Sequence, residues 1–466
     1  MLAVVATAFF MTILDVSIVN VALPSIAKDL NFSQENLQWV ITAYAIAFGG
    51  FLLLGGRAAD LLGRRRVFIV GVALFTVASL VCGLAQSEGM LIASRAVQGL
   101  GGAIISPAAL SIVMTSFEEG PERNKALGVW GALGGSGAAV GVLAGGVLTN
   151  YLSWRWIFFV NVPVGALVLL LTPRIVPESR RDTGGRRYDA LGAVLVSAGL
   201  ALLVYAISEA PNVGWATART ILLIIAAVAL LAGFLVNERR VPDALMPFHI
   251  FRVRTVAGAN AVGFLLGSVI FANFFLLTLY VQDVLHYSPL KTGFTFIATA
   301  GTAVLAAGIA QALTTKFGAK PIIVIGLVLL TGAMVWYSQI PVHGKFASDL
   351  LPGYVLVGVG IAFAFVPVSI AALAGVAERE AGLASGLINT SQQIGGAIGT
   401  AVASTVFATH YKSLLKAGRS VPDALTHAYG YAFWALAFFG LAAIIAALTL
   451  IRREEMAETP VTAPSA

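Results

Sequence analysis

The sequence predicts an all-α polytopic membrane protein, built as two six-helix halves with two further helices inserted between them. Three observations lead there. Of 466 residues, 58% are hydrophobic and only 11% charged, with a mean hydropathy of +0.90, whereas soluble domains carry about a quarter charged residues. Lys and Arg collect on alternate loops between the apolar runs, and three groups of motif residues recur once, in the same order, at a nearly constant offset.

A bilayer core needs about 20 apolar residues per helix. On that measure fourteen spans run over 2–23, 37–57, 67–86, 89–116, 126–149, 155–173, 189–208, 218–237, 256–282, 292–315, 320–338, 349–374, 384–409 and 428–451. The apolar run starts at Met1 and continues past Asp15 without an Ala-x-Ala site, so it reads as a retained span and not a signal peptide. Twenty of the 29 Lys and Arg residues fall on one set of loops, eight on the other, and Arg95 alone inside a span. The positive-inside rule then makes the richer set cytoplasmic, with both termini inside and the protein in the cell membrane. The net charge of +7 is accounted for by these helix ends, so nucleic acid is not expected as a partner. Cys82 is the single cysteine and excludes an intramolecular disulfide.

Ala126, Gly128, Gly137, Ala139 and Gly141 of span 5 recur as Ala384, Gly386, Gly395, Ala397 and Gly399 of span 13. Gly99-Leu100-Gly101 recurs as Gly358-Val359-Gly360, and the loop holding Gly63 and Arg65 as the loop holding Gly318 and Lys320. Transporter folds show such weak internal symmetry. The resulting domains are 1–173, an amino-terminal half; 174–254, a linker with spans 7 and 8; 255–452, a carboxy-terminal half; and 453–466, a polar tail expected to be disordered.

Asp15 is the one acid placed deep within a span. A charged aspartate at the bilayer centre costs about 2.5–3.5 kcal/mol, so it should face a cavity or a partner and titrate readily. Counting inward from Pro24 and from Gly89, Asp15 and Arg95 lie about 13 and about 9 Å deep at ~1.5 Å per residue, so the two can pair. Asp15 with Arg95 is therefore the candidate proton-coupling pair, a static bridge orienting two helices being the alternative. Asn20, Gln98, Asn273, Gln311, Asn389 and Gln392 are the candidate substrate-cavity residues, although an amide in a span also serves as glue between helices. The five histidines, His249, His286, His343, His410 and His427, lie in loops or at helix ends without metal-ligand spacing, so neither metal nor cofactor is expected.

Several stretches together resemble the 14-span drug:proton antiporters of the major facilitator superfamily. They are Leu14-Asp15-Val16-Ser17-Ile18-Val19-Asn20-Val21-Ala22-Leu23-Pro24, the loop from Gly56 to Arg66, Arg95-Ala96-Val97-Gln98-Gly99, the glycines of span 5, and the run from Trp154 to Pro163. The resemblance covers nearly the whole chain and implies the major facilitator fold. It also implies a cytoplasmic gate formed by Gly56, Asp60, Gly63, Arg64, Arg65 and Arg123, and an antiporter glycine helix carrying Gly131, Gly135, Gly137, Gly141 and Gly145. Where that family usually has proline after the middle glycine, this chain has Val142. In the second repeat Thr315 stands for Asp60 and Tyr354 for Arg95, which leaves the charged machinery in the first half.

The function expected from these readings is proton-coupled export of a small amphipathic organic compound by a monomer embedded in the lipid bilayer. A dedicated exporter of one endogenous metabolite is the alternative, and a passive channel or sensor a remote one. No enzyme is expected: the sequence has no Walker loop and no intramembrane hydrolase constellation.

Overall fold

The structure, a computed structural model, describes residues 1–33, 36–117, 121–179, 189–241, 244–246, 248–374, 376 and 381–451. Within these, the side chains of 121, 123–125, 127–132, 134–136, 138–139 and 381 lie outside the described set; the linker stretch 180–188 and the tail from 452 onward lie outside it altogether.

The helices are α1 (Leu2–Leu30), α2 (Trp39–Leu62), α3 (Arg64–Gly83), α4 (Glu88–Ser116), α5 (Pro121–Tyr151), the short α6 (Trp156–Phe159), α7 (Asn161–Ile175), α8 (Ala190–Val213), α9 (Ala218–Arg240), α10 (Arg254–Leu279), α11 (Pro289–Phe317), α12 (Ala319–Tyr337), α13 (Leu351–Ala371), α14 (Ala381–Lys416) and α15 (Val421–Leu450). Among the described residues, twelve helical segments are long and apolar enough to cross a membrane. A spanning backbone in lipid must satisfy its own hydrogen bonds, which a helix does within one segment.

Local chemistry sets the ends. Ser87, Asp189, Thr217 and Ser288 each accept a backbone N–H in the first turn of α4, α8, α9 and α11, the usual use of small polar residues at a helix start. Gly63, between α2 and α3, takes φ +106°, and Gly318, between α11 and α12, takes φ +85°. An L side chain is strained at such angles, so glycine permits a sharp reversal at both places.

Packing repeats along the chain. In the amino-terminal helices α1 packs on α5, α2 and α3 on α4, and α3 on α7; in the carboxy-terminal helices α10 packs on α14, α11 and α12 on α13, and α12 on α15. The two groups meet through α5 on α11 and α2 on α14. Next to the second seam runs α8, where Gln38 Nε2 donates to Ser208 Oγ at 2.5 Å and Thr405 Oγ1 donates to the Ile207 carbonyl at 3.1 Å. One apolar core joins both groups through Ile18, Val21, Leu23, Leu276 and Tyr280, whereas Phe68, Phe75, Ile105 and Ile112 form a second core confined to the amino-terminal helices. At the end of the bundle opposite Gly63, Asp29 accepts from Trp154 Nε1 at 2.9 Å and from Arg155 Nη2 at 3.0 Å. There too, Gln282 Nε2 donates across the two groups to the Val21 carbonyl at 2.8 Å.

Candidate functional site

Asp15 sits in the middle of α1 and Arg95 reaches it from α4. Arg95 Nη1 donates to Asp15 Oδ2 at 2.5 Å and to Gln98 Oε1 at 2.7 Å, while its Nε donates to the Val40 carbonyl at 2.9 Å. Gln98 lies one turn on from Arg95, the spacing that places two side chains on one helix face. Its Nε2 donates to Asp15 Oδ1 at 2.8 Å and to Ser79 Oγ at 3.1 Å. Asn161, at the start of α7, donates to the same two oxygens at 3.1 and 3.0 Å. Ser79 passes its own hydrogen to the Phe158 carbonyl at 3.0 Å, and the Cys82 thiol faces Gln98 Oε1 at 3.6 Å. Neither Asp15, Arg95, Gln98, Ser79, Asn161 nor Cys82 is more than 2% exposed.

Burying two charges costs several kcal/mol per ion after relaxation, and the attraction between them compensates only where the remaining lone pairs and protons are satisfied. Here the Asp15 carboxylate accepts three donors from three different side chains, and Arg95 Nε and Nη1 donate to three acceptors. The Arg95 guanidinium also lies 4.4 Å from the centroid of the Tyr44 ring and 5.7 Å from that of Phe158. Asp15 is the one carboxylic acid among these contacts, and Arg95 also has the neutral Gln98 and Val40 oxygens beside it.

A second charged group lies at the Gly63 end. Arg64 Nη2 meets Asp60 Oδ1 at 2.9 Å. Arg65, grouped by sequence with Asp60, turns instead to Glu178, whose Oε2 lies 3.6 Å from Arg65 Nε and 3.7 Å from Arg66 Nε. Glu178 also accepts the Arg65 backbone N–H at 3.1 Å, and the Arg64 N–H donates to the Ser179 carbonyl at 3.0 Å. A Cβ on Gly63 would lie 2.7 Å from Glu178 Oε1, and one on Gly56 would lie 3.3 Å from Pro107 Cβ of α4. The expected gate partner Arg123 has its side chain outside the described residues.

The glycine stripe of α5 faces α1. A Cβ on Gly137 would lie 2.6 Å from Ile13 Cγ2, on Gly141 2.9 Å from the Leu14 carbonyl, and on Gly145 2.6 Å from the Ile18 carbonyl. Small residues allow this approach, the packing device of helices that lack a hydrophobic drive between them. Gly131 and Gly135 lie outside the residues with described side chains. Val142, in the place of the family's proline, is buried and sends its carbonyl toward Gly293 of α11, 3.0 Å from where a Cβ there would stand.

The six amides named from sequence do not form one group. Gln98 is committed to the ion pair. Asn20 donates back to the Val16 carbonyl at 3.0 Å, and Asn389 to the Ser385 carbonyl at 2.8 Å. Asn20 Oδ1, Asn273 Oδ1 and Gln392 Nε2 are buried without a hydrogen-bond partner among the described residues, while Gln311 and Asn389 are exposed. Sequence reasoning missed three members of the two charged groups. Asn161 carried a signal, as a polar residue within the Trp154–Pro163 run; Ser79, one hydroxyl in an apolar span, carried none. Glu178 was hidden in a stretch read as linker.

Among the described residues, a helical bundle with this repeated packing and twelve segments able to cross a membrane defines a polytopic membrane protein. The family model of the Major Facilitator Superfamily matches residues 5–400, and the chain belongs to that superfamily. It is 40% identical over 465 residues to the puromycin resistance protein pur8 of Streptomyces alboniger, covering 98% of this chain and 92% of that one. To the cephamycin export protein CmcT of Amycolatopsis lactamdurans it is 38% identical over 463 residues, covering 98% and 93%. To the multidrug resistance protein Stp of Mycobacterium tuberculosis it is 35% identical over 429 residues, covering 91% and 79%. Among solved structures, an auto-inhibited POT family peptide transporter is similar with a TM-score of 0.70 at 16% identity, over 96% of this chain and 95% of that one. At that identity the likeness concerns the fold alone.

Proposed function

We propose that this protein is a proton-coupled exporter of amphipathic antibiotics or drugs, working by alternating access as its two halves rock about the α5–α11 and α2–α14 seams. The observation that carries this reading is the buried Asp15–Arg95 pair, held by neutral amides inside an apolar bundle. It stands in a chain that matches relatives named for antibiotic resistance and export over nearly its whole length. A protonatable acid with a fixed counter-charge is what coupling requires: the proton neutralises Asp15 on one side of the membrane and leaves on the other.

Fourteen spans follow if α5 and α14, helices of 31 and 36 residues, cross with the other twelve. Both pack within the bundle, α5 on α1 and α11, α14 on α10 and α2. The halves are then 1–173 and 255–452, with α8 and α9 inserted. Supporting this, Ser17 Oγ lies 3.3 Å from the Gly137 carbonyl and Ser268 Oγ 2.9 Å from the Gly395 carbonyl, the same close approach at glycines already paired by the sequence repeat. The Lys and Arg distribution supports cytoplasmic termini in the cell membrane, and the monomer stays the working unit. The Gly63 loop with Asp60, Arg64, Arg65 and Glu178 serves as the cytoplasmic gate, and Asn20, Asn273 and Gln392, each with one buried amide atom left without a partner among the described residues, line the substrate path.

A second reading, export of a single antibiotic, is favoured by the names of relatives such as the puromycin and cephamycin proteins, each tied to one compound. The deciding experiment reconstitutes the protein in liposomes holding a pH indicator. Drug addition should drive proton flux, and Asp15→Asn should abolish it while the protein still inserts. Drug flux that merely equilibrates, with no proton movement, would remove the antiporter reading.

A further inference from the structure

We infer that Tyr44 is a positioning residue for the coupling step: its ring face carries the Arg95 guanidinium in the state where Asp15 holds a proton. This rests on the coupling role proposed above for Asp15.

Arg95 is a permanent cation, 1% exposed, so the protein must compensate it in every state of the cycle. With Asp15 ionised, the carboxylate does so. Once Asp15 is neutral, what remains is the Gln98 and Val40 oxygens and the two rings. Of the rings, Tyr44 is the nearer, at 4.4 Å against 5.7 Å, well inside the ~6 Å at which the negative ring face attracts a cation. With Asp15 ionised the ring face meets a pair of no net charge, and with Asp15 protonated it meets a net cation, so the ring favours the protonated state. Tyr44 cannot easily drift away. It is 2% exposed, stacks on Phe48 at 5.8 Å between centroids, and sits against Gly102, where a Cβ would lie 2.8 Å from the Tyr44 hydroxyl. Among the described residues its hydroxyl has no hydrogen-bond partner, so the ring is the part of the side chain that acts.

The ionisable groups facing the pair are few. Asp15 and Arg95 face each other, Tyr44 faces them from α2, and the Cys82 thiol from α3. From α6 and α7 come only the Phe158 ring and the neutral Asn161. The ionisable side chains of α5, α7, α10 and α11 stand at helix ends, as Tyr151, Arg174, Arg254, Lys291 and Lys316 do. Removing the Tyr44 ring should therefore act on one titration. It makes the protonated state harder to reach, so the proton must be loaded at lower pH.

The test measures proton release from the detergent-solubilised transporter on drug addition, as a function of pH. Tyr44→Leu should move the midpoint about one pH unit toward acid, from the usual size of a desolvated cation–π contact. Tyr44→Phe, which keeps the ring, should hold the wild-type midpoint. Because Tyr44→Leu alters packing, a second series replaces Tyr44 with phenylalanines of increasing ring fluorination, nearly isosteric but with progressively less negative faces. The midpoint should fall stepwise along that series. A midpoint that stays put in the fluorinated series, while Asp15→Asn releases no proton, overturns the role of Tyr44 and leaves the coupling role of Asp15 standing. Proton release that persists in Asp15→Asn overturns the coupling reading itself.

Discussion

Ser17 and Ser268 approach the carbonyls of matching glycines in the same way, and from that common mark the two ends of the chain part company. Two residues before Ser17 stands Asp15; two before Ser268 stands Leu266, equally buried. Arg95 has its counterpart in Tyr354, whose hydroxyl pairs with Thr295 Oγ1 at 2.9 Å and whose ring meets Phe296 edge-on at 5.3 Å and Tyr337 at 6.2 Å. One helical framework thus tolerates either a charged, amide-rich filling or an aromatic one. Well-packed apolar groups can often replace a buried ion pair at no loss of stability, so stability alone does not account for Asp15 and Arg95 on one side, which is in keeping with the coupling role proposed for them.

The largest effect should come from breaking the pair unevenly. Arg95→Ala leaves the Asp15 carboxylate buried without its cation, a change that costs about 3–5 kcal/mol. Asp15→Asn with Arg95→Gln removes both charges together and keeps amides in reach of Gln98 and Asn161, so it should melt close to wild type while exchanging no protons. Cys82, the single cysteine and fully buried beside Gln98, reports on both, because a thiol-reactive dye labels it only when this region opens. Equal melting of Arg95→Ala and the double variant would show that the charges were not coupled.

Next in size is charge selectivity. Asp15 already accepts Arg95, Gln98 and Asn161, and α11 contains no Asp or Glu, although some members of the resembled antiporter family carry a second membrane acid in that span. A dication would bring a charge with no counterpart, at a cost of several kcal/mol, and each ~1.4 kcal/mol is tenfold in affinity. Neutral and monocationic compounds should be exported and matched dications at least about tenfold less well, with an aspartate added in α11 narrowing the gap. Resistance to a dicationic biocide equal to that for its monocationic analogue would break the argument.

A smaller effect is expected at the Gly63 end, where the two ends of the chain agree in backbone and differ in charge. Gly63→Val meets both the positive φ, worth about 1–3 kcal/mol, and the Glu178 carboxylate. It should slow turnover more than it weakens drug binding, whereas Gly318→Val, with nothing within 4 Å of its Cβ, should be milder. Drug-binding titrations beside transport rates separate the two effects.

How legible these features were follows from where their information lies. Hydropathy and the alternation of basic loops revealed the helices because membrane insertion acts on stretches of about 20 residues. The pairing of Asp15 with Arg95 was visible because a charge in an apolar span is rare and must be matched. The aromatic filling around Tyr354 was not visible, since an aromatic residue in an apolar run looks alike whether it faces lipid or core. Gln98 was assigned to a cavity because an amide in a span fits glue, ligand contact or ion-pair support equally well, and only the three-dimensional neighbours choose. Glu178 escaped for a related reason: basic residues near a membrane surface are common, and nothing local marks which acid turns to them.

The smallest effect tests the aromatic side of the comparison. Thr295 Oγ1 also reaches the Thr292 carbonyl at 2.7 Å, so both contacts are made when Thr295 gives its single hydrogen there and accepts that of the Tyr354 phenol. Tyr354→Phe therefore removes one buried hydrogen bond and leaves no donor stranded, because the threonine hydroxyl keeps its partner. The loss should be about 1 kcal/mol, with the ring contacts to Phe296 and Tyr337 retained and a melting shift well below that of Arg95→Ala. Proton release should keep the wild-type midpoint, since the phenol only supports packing on its side of the bundle. A midpoint that moves in Tyr354→Phe by as much as in Tyr44→Leu would make the aromatic cluster part of the proton pathway, and the division between a charged working bundle and an aromatic supporting one would fail.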